Sequence, residues 1–162
     1  MDCPKYDGNI YPDEWINDIK TYFNHSGHLE PNVRSLMTAK SLVDSTIKLP
    51  AGIDNIEKLR NALKEDITFT VFKNTNKRLL QSLRYIPERE GGNTSKFISS
   101  FRKLCYNAEI HGIEEQKEYF YQSLPNNDRY NYFLTEFFKR IKSMKFFYLM
   151  NDKVYTAILH FT

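Results

Sequence analysis

Four sets of residues have types and spacing that could do chemistry. His25 and His28 stand close together, and His111 or His160 would add a third imidazole around a shared metal. Zinc needs three or four ordered ligands, so two neighbouring histidines fall short of a site. The plainer reading is a polar loop at a helix end, where imidazoles meet free carbonyls. Cys105 is a candidate nucleophile, but it falls on the apolar stripe of its segment. A thiol there behaves as a small buried hydrophobe, whereas a reactive thiol needs an exposed, electropositive setting. Glu114 and Glu115 would be an acid/base pair. Adjacent residues on a helix diverge by about 100°, and carboxylates in a first helical turn already have a structural reason. Two basic clusters, Lys96, Arg102, Lys103 and Lys139, Arg140, Lys142, Lys145, are candidate phosphate or RNA contacts. Acidic residues neighbour them in the chain, and such mixed charge reads first as a solvated helix face.

No larger constellation joins these residues. The chain has no Gly-rich phosphate loop and no Gly-x-Ser-x-Gly elbow. It also lacks an aspartic-protease signature and the acidic sets of a polymerase or integrase. The expectation is a protein that is not an enzyme, with no cofactor, no metal and no small-molecule substrate. Its candidate interaction residues are aromatic: Trp15, Tyr22, Phe23, Phe97, Phe101, Tyr130 and Phe133. For the stripe of Tyr130, Phe133 and Phe137 the competing reading is core, because its spacing is what a buried helix face requires.

The elements that must position these residues all read as helices. Pro12 stands at a helix entrance, with Asp13 and Glu14 at the positive end of the dipole. Trp15, Ile19, Tyr22 and Phe23 follow on one stripe, predicting a helix over 13–24. Pro31 opens a second helix whose apolar period runs from Val33 to Ile47. After the Leu49-Pro50-Ala51-Gly52 break, Ile53, Ile56, Leu59, Leu63 and Ile67 keep one face of a third helix, and the period continues through Phe72. The alternation over 67–72 also has a strand's look, but helix is the reading kept. Asn74-Thr75-Asn76 is a polar break and the candidate boundary between two lobes. A short helix follows with Leu79, Leu80, Leu83 and Ile86, stopped by Pro87. Asn93 or Thr94 caps the next, with Phe97, Phe101, Leu104, Cys105 and Ala108 on one face and Gly112 at its end. Glu114 and Glu115 start another, which Pro125 stops. Asp128 caps a last helix carrying Tyr130, Phe133, Phe137 and Ile141. This is an all-α pattern of about seven helices joined by short loops. The organisation is an entry segment at 1–12, lobes at 13–75 and 76–144, and an atypical apolar tail at 145–162.

Composition agrees with one compact domain or two small lobes. The chain has 162 residues, of which 41% are hydrophobic and 15% aromatic. A net charge of +3 is too even to mark a dedicated nucleic-acid surface. The two cysteines, Cys3 and Cys105, suggest no disulfide framework. The first residues lack the apolar run of a signal peptide, and no stretch of about 18 apolar residues would span a bilayer. A cytoplasmic, reducing setting is therefore expected, with no membrane partner.

Several motifs together resemble the capsid part of Gag polyproteins from gypsy-class LTR retrotransposons. Tyr6-Asp7-Gly8, then Pro12, Trp15, Ile16, Ile19, Tyr22 and Phe23, is similar to the family's aromatic-Asp-Gly opening and Trp-bearing first helix. Downstream, Phe97 to Leu104 looks like its aromatic, Phe, basic, Leu pattern, and Phe120 to Leu124-Pro125 like its Phe-x-x-x-Leu-Pro helix end. The order agrees over roughly 5–144. The resemblance implies two helical lobes of retroviral-capsid type, as in the domesticated capsid-like protein Arc. It also implies a structural protomer that self-assembles into homo-oligomers or shells, with possible weak RNA contact. The alternative is a monomeric, domesticated lobe that binds a peptide or RNA. The family's Gln before the main helix of the second lobe is replaced by Glu88-Arg89-Glu90-Gly91-Gly92. No zinc knuckle follows, and the segment from Lys145 onward does not resemble the family.

Overall fold

The structure, a computed structural model, describes residues 4–25, 33–86 and 88–124. The described residues form six α-helices, one 3-10 turn and no strand. The helices are α1 (Pro12–His25), α2 (Val33–Ser41), α3 (Ile56–Glu65), α4 (Ile67–Ser82), α5 (Thr94–Asn107) and α6 (Ile113–Ser123), with the 3-10 turn at Glu88–Glu90. The expected helix capped by Asp128 and the apolar tail at 145–162 lie outside the described residues. The chain divides into two compact units, Met1–Thr75 and Asn76–Thr162.

The first unit is organised by Trp15. Its ring is fully buried among Ile16, Ile19, Ala39, Leu59 and Leu63. The indole N–H donates to the Pro4 carbonyl at 3.1 Å. Tyr6 stacks obliquely on the indole, with ring centroids 5.2 Å apart. The Tyr6 backbone N–H donates to the Leu42 carbonyl at 2.9 Å, and its own carbonyl accepts from the Asp44 N–H at 2.8 Å. The result is an isolated parallel bridge between Tyr6 and Val43, so the entry segment belongs to this core. Gly8 has a φ of +85°, and a Cβ there would stand 3.1 Å from Thr68 Cβ. Both conformation and space favour glycine in the Tyr6-Asp7-Gly8 motif.

Helix α1 packs on α3. At their shared edge the Asp13 carboxylate accepts from Lys64 Nζ at 2.8 Å, and Arg60 Nε lies 3.7 Å from it. Asn55 caps α3, its side chain accepting from the Lys58 N–H at 2.9 Å. Asp66 then separates α3 from α4. Its backbone is extended, its N–H donates to the Ala62 carbonyl, and its carboxylate accepts from both the N–H and the hydroxyl of Thr68. One residue thus closes one helix and caps the next.

These bonds correct several boundaries read from the sequence. The residues 67–72 are helical as expected, but they begin α4 instead of extending α3. Asn74-Thr75-Asn76 does not interrupt α4, which runs on to Ser82; the residues 83–86 lie beyond its end. The second helix stops at Ser41, because the segment after it turns to pair Val43 with Tyr6. Ile47 reaches the core from a loop.

The second unit has its own core of Leu80, Tyr85, Phe97, Ile98, Phe101, Cys105, Ile110, Tyr119, Phe120 and Leu124. Phe101 meets Phe120 edge to face at 5.5 Å, and Phe97 meets Tyr85 at 5.2 Å. Asn93 caps α5 by accepting from the Lys96 N–H at 2.8 Å. The helix ends at Asn107, well before Gly112. Glu109 takes the left-handed conformation at φ 55°, and the Ile110 N–H donates back to the Cys105 carbonyl at 2.9 Å. Such a closure normally uses glycine, so the sequence placed the stop too late. Gly92 is required for another reason. A Cβ on it would overlap the Ile86 backbone carbonyl.

Candidate functional site

The aromatic candidates among the described residues mostly hold the cores together. Trp15, Phe23, Phe97 and Phe101 are buried. Tyr22 is half-buried beside Phe23, with ring centroids 5.9 Å apart. Phe97 and Phe101 lie 6.3 Å apart in the second core. Tyr130 and Phe133 lie outside the described residues.

Of the basic candidates, Lys96, Arg102 and Lys103 are exposed on α5. Lys96 and Lys103 are seven positions apart and share a face, while Arg102 is rotated away from Lys103 by about 100°. Lys139, Arg140 and Lys142 lie outside the described residues. The Lys103 ammonium sits 6.0 Å from the Tyr106 ring centre, a cation–π distance.

The candidate chemical groups have local partners. His25 Nδ1 lies 2.8 Å from the Thr21 carbonyl at the end of α1. His28 and His160 lie outside the described residues. Among the described residues no three His, Cys, Asp or Glu side chains gather in a way that would hold a metal ion. Burial, with a smaller contribution from Glu115, pushes the Cys105 thiol up to about 12, so it stays protonated at neutral pH. Glu114 pairs with Lys117 at 2.8 Å and Glu115 with Lys77 at 3.5 Å. The first turn of α6 thus sends its two carboxylates to different lysines. A hydrogen bond to the Tyr119 hydroxyl, more than the Glu115 charge, raises the Lys77 pKa.

An open groove of about 620 Å³ runs between the end of α4 and α5. Leu79, Leu83 and Leu104 give it an apolar floor, and Ser82, Ser99 and Ser100 contribute hydroxyls. Arg84 and Lys103 bring positive charge, and no carboxylate and no aromatic residue lines it. Arg84 is positioned by two bonds from Nη1 to the carbonyls of Gln81 and Leu83, both 2.8 Å. Those carbonyls are at the negative end of α4. Only Lys103 of this set stood out in the sequence. The available signal was the adjacent pair Leu79 and Leu80, since only one of two neighbours on a helix faces a core. Leu80 is buried and Leu79 is 51% exposed.

The chain matches no protein-family profile, no curated protein and no solved structure. No helix among the described residues is long and apolar enough to cross a membrane.

Proposed function

We propose that this chain is a structural protomer of retrotransposon-capsid type, which associates with copies of itself through helical faces and catalyses no reaction. The resemblance of its motifs supports this reading, as do two helical units that each have a core of their own. The observation that carries it is one face of α4. Ile67 and Val71 stand one turn apart there, 70% and 58% exposed. Met37 on α2, 67% exposed, is a second such position. Branched aliphatic side chains on successive turns gain by leaving water when another copy packs on them. Cytoplasmic assembly, with weak RNA contact through Lys96, Arg102 and Lys103, belongs to the same proposal.

Sedimentation across protein and salt concentration, with electron microscopy of large species, tests it. The expected result is discrete oligomers or shells that grow with concentration, and a shift toward monomer in the Val71→Asp variant. A monomer at every concentration and salt overturns the reading. The groove between α4 and α5 favours a second reading, a monomeric module that binds a partner peptide.

A further inference from the structure

We infer that the groove between α4 and α5 binds a short acidic peptide segment that inserts an aliphatic side chain between its leucines. This deepens the second reading above and does not depend on self-assembly. The floor of Leu79, Leu83 and Leu104 offers apolar burial, which favours a hydrophobic side chain as the anchor. Its volume is in the range of pockets that hold a few side chains.

Charge selects the rest of the ligand. The whole chain carries nearly as many acidic as basic residues, 20 against 23, yet the groove lining has Arg84 and Lys103 and no carboxylate. A local excess of one sign beside an apolar floor attracts a ligand that is both acidic and apolar. The guanidinium of Arg84 is pinned by two backbone carbonyls at one edge. These neutral acceptors leave its charge in place, so an approaching carboxylate meets a positioned donor at little entropic cost. Lys103 comes from α5, so the two cations come from different segments of the wall. Acidic residues on either side of an aliphatic anchor fit that arrangement.

A nucleic acid fits less well. Single-strand sites combine a cationic track with aromatic rings for base stacking. This groove has leucines where those rings would stand.

The test uses the full chain and fluorescein-labelled octapeptides in which one leucine is moved along a background of glutamate and serine. Anisotropy should show saturable binding for at least one register. Changing that leucine to alanine in the peptide should weaken binding about tenfold or more, the size expected for losing a buried aliphatic anchor. Arg84→Glu, an exposed change outside both cores, should weaken it at least as much, and Leu79→Asp should abolish it. Circular dichroism checks that both variants keep the helical fold. Absence of saturable binding in every register overturns the inference. So does binding that is indifferent to the leucine, or that Arg84→Glu leaves unchanged. Full displacement by a single-stranded RNA oligonucleotide, with the peptide leucine irrelevant, would assign the groove to RNA instead. The oligomeric state enters none of these readouts, so failure of the assembly reading leaves them interpretable.

Discussion

Tyr6 joins the entry segment to the first core through both its backbone and its ring, while its hydroxyl, buried, has no hydrogen-bond partner among the described residues. A buried hydroxyl without a partner costs its desolvation and returns nothing. Tyr6→Phe keeps the ring contact with Trp15 and should raise stability by about 1 kcal/mol, read as a higher urea midpoint at an unchanged slope. Gly92 is the opposite case, a residue whose missing side chain is the requirement. Gly92→Ala forces the backbone away from the Ile86 carbonyl and should cost about 2 kcal/mol or more, at the upper end of overpacking effects. The same denaturation measurement checks it, and a loss within a few tenths would mean that the loop gives way easily. The need for glycine at Gly8 is suggested by the Tyr6-Asp7-Gly8 motif. The need at Gly92 cannot be read from the order of residues, because it comes from the chain folding back on Ile86.

Helix identity was legible because apolar periods of three and four are a local property. Helix ends were less so. Asp66 looks like an ordinary polar residue on a continuing stripe, but the stripe breaks there: Leu59 and Leu63 before it are buried, Ile67 is exposed, and burial passes to Phe69. Only the extended backbone at Asp66 and its bonds to Thr68 show that the helix stops and restarts. Asp66→Ala removes that cap and should cost about 1–2 kcal/mol, whereas Asp66→Asn, which keeps an acceptor, should cost less. Thermal unfolding of the two variants compares them directly. If the two lose equal stability, the cap is not what Asp66 contributes. The same logic explains α5. Glu109 occupies a position where the usual glycine signal is missing, so the stop was sought at Gly112.

Across the whole molecule, burial raises the pKa of one group in each core, Tyr6 in the first and Cys105 in the second. Burial, then the charges of Asp66 and Asp7, raises Tyr6 to about 12 from an ordinary value of 10.0. Burial, then Glu115, raises Cys105 to about 12 from 9.0. In both cases the folded state holds its proton more tightly than the unfolded chain. The unfolded chain therefore binds fewer protons once pH exceeds the ordinary values, and stability falls with rising pH. The stabilisation is complete below pH 9, and it is lost progressively as pH rises toward 12. Chemical denaturation from pH 8 to 11 should show a declining midpoint. Tyr6→Phe and Cys105→Ala should each flatten the decline, the cysteine variant from lower pH. A midpoint independent of pH over that range would remove both groups from the account.

The residue order by itself determined the fold class and most of the buried residues, since helical periodicity and apolar burial follow from neighbours along the chain. It offered Trp15, Phe97 and Phe101 as interaction residues on helical stripes, whereas all three are buried. It did not determine the groove. Leu79, Leu83, Arg84, Ser99 and Lys103 come from segments apart in the chain, and nothing in their order says that they share a wall. That depended on where α4 stops and how α5 packs beside its end, which only long-range burial decides.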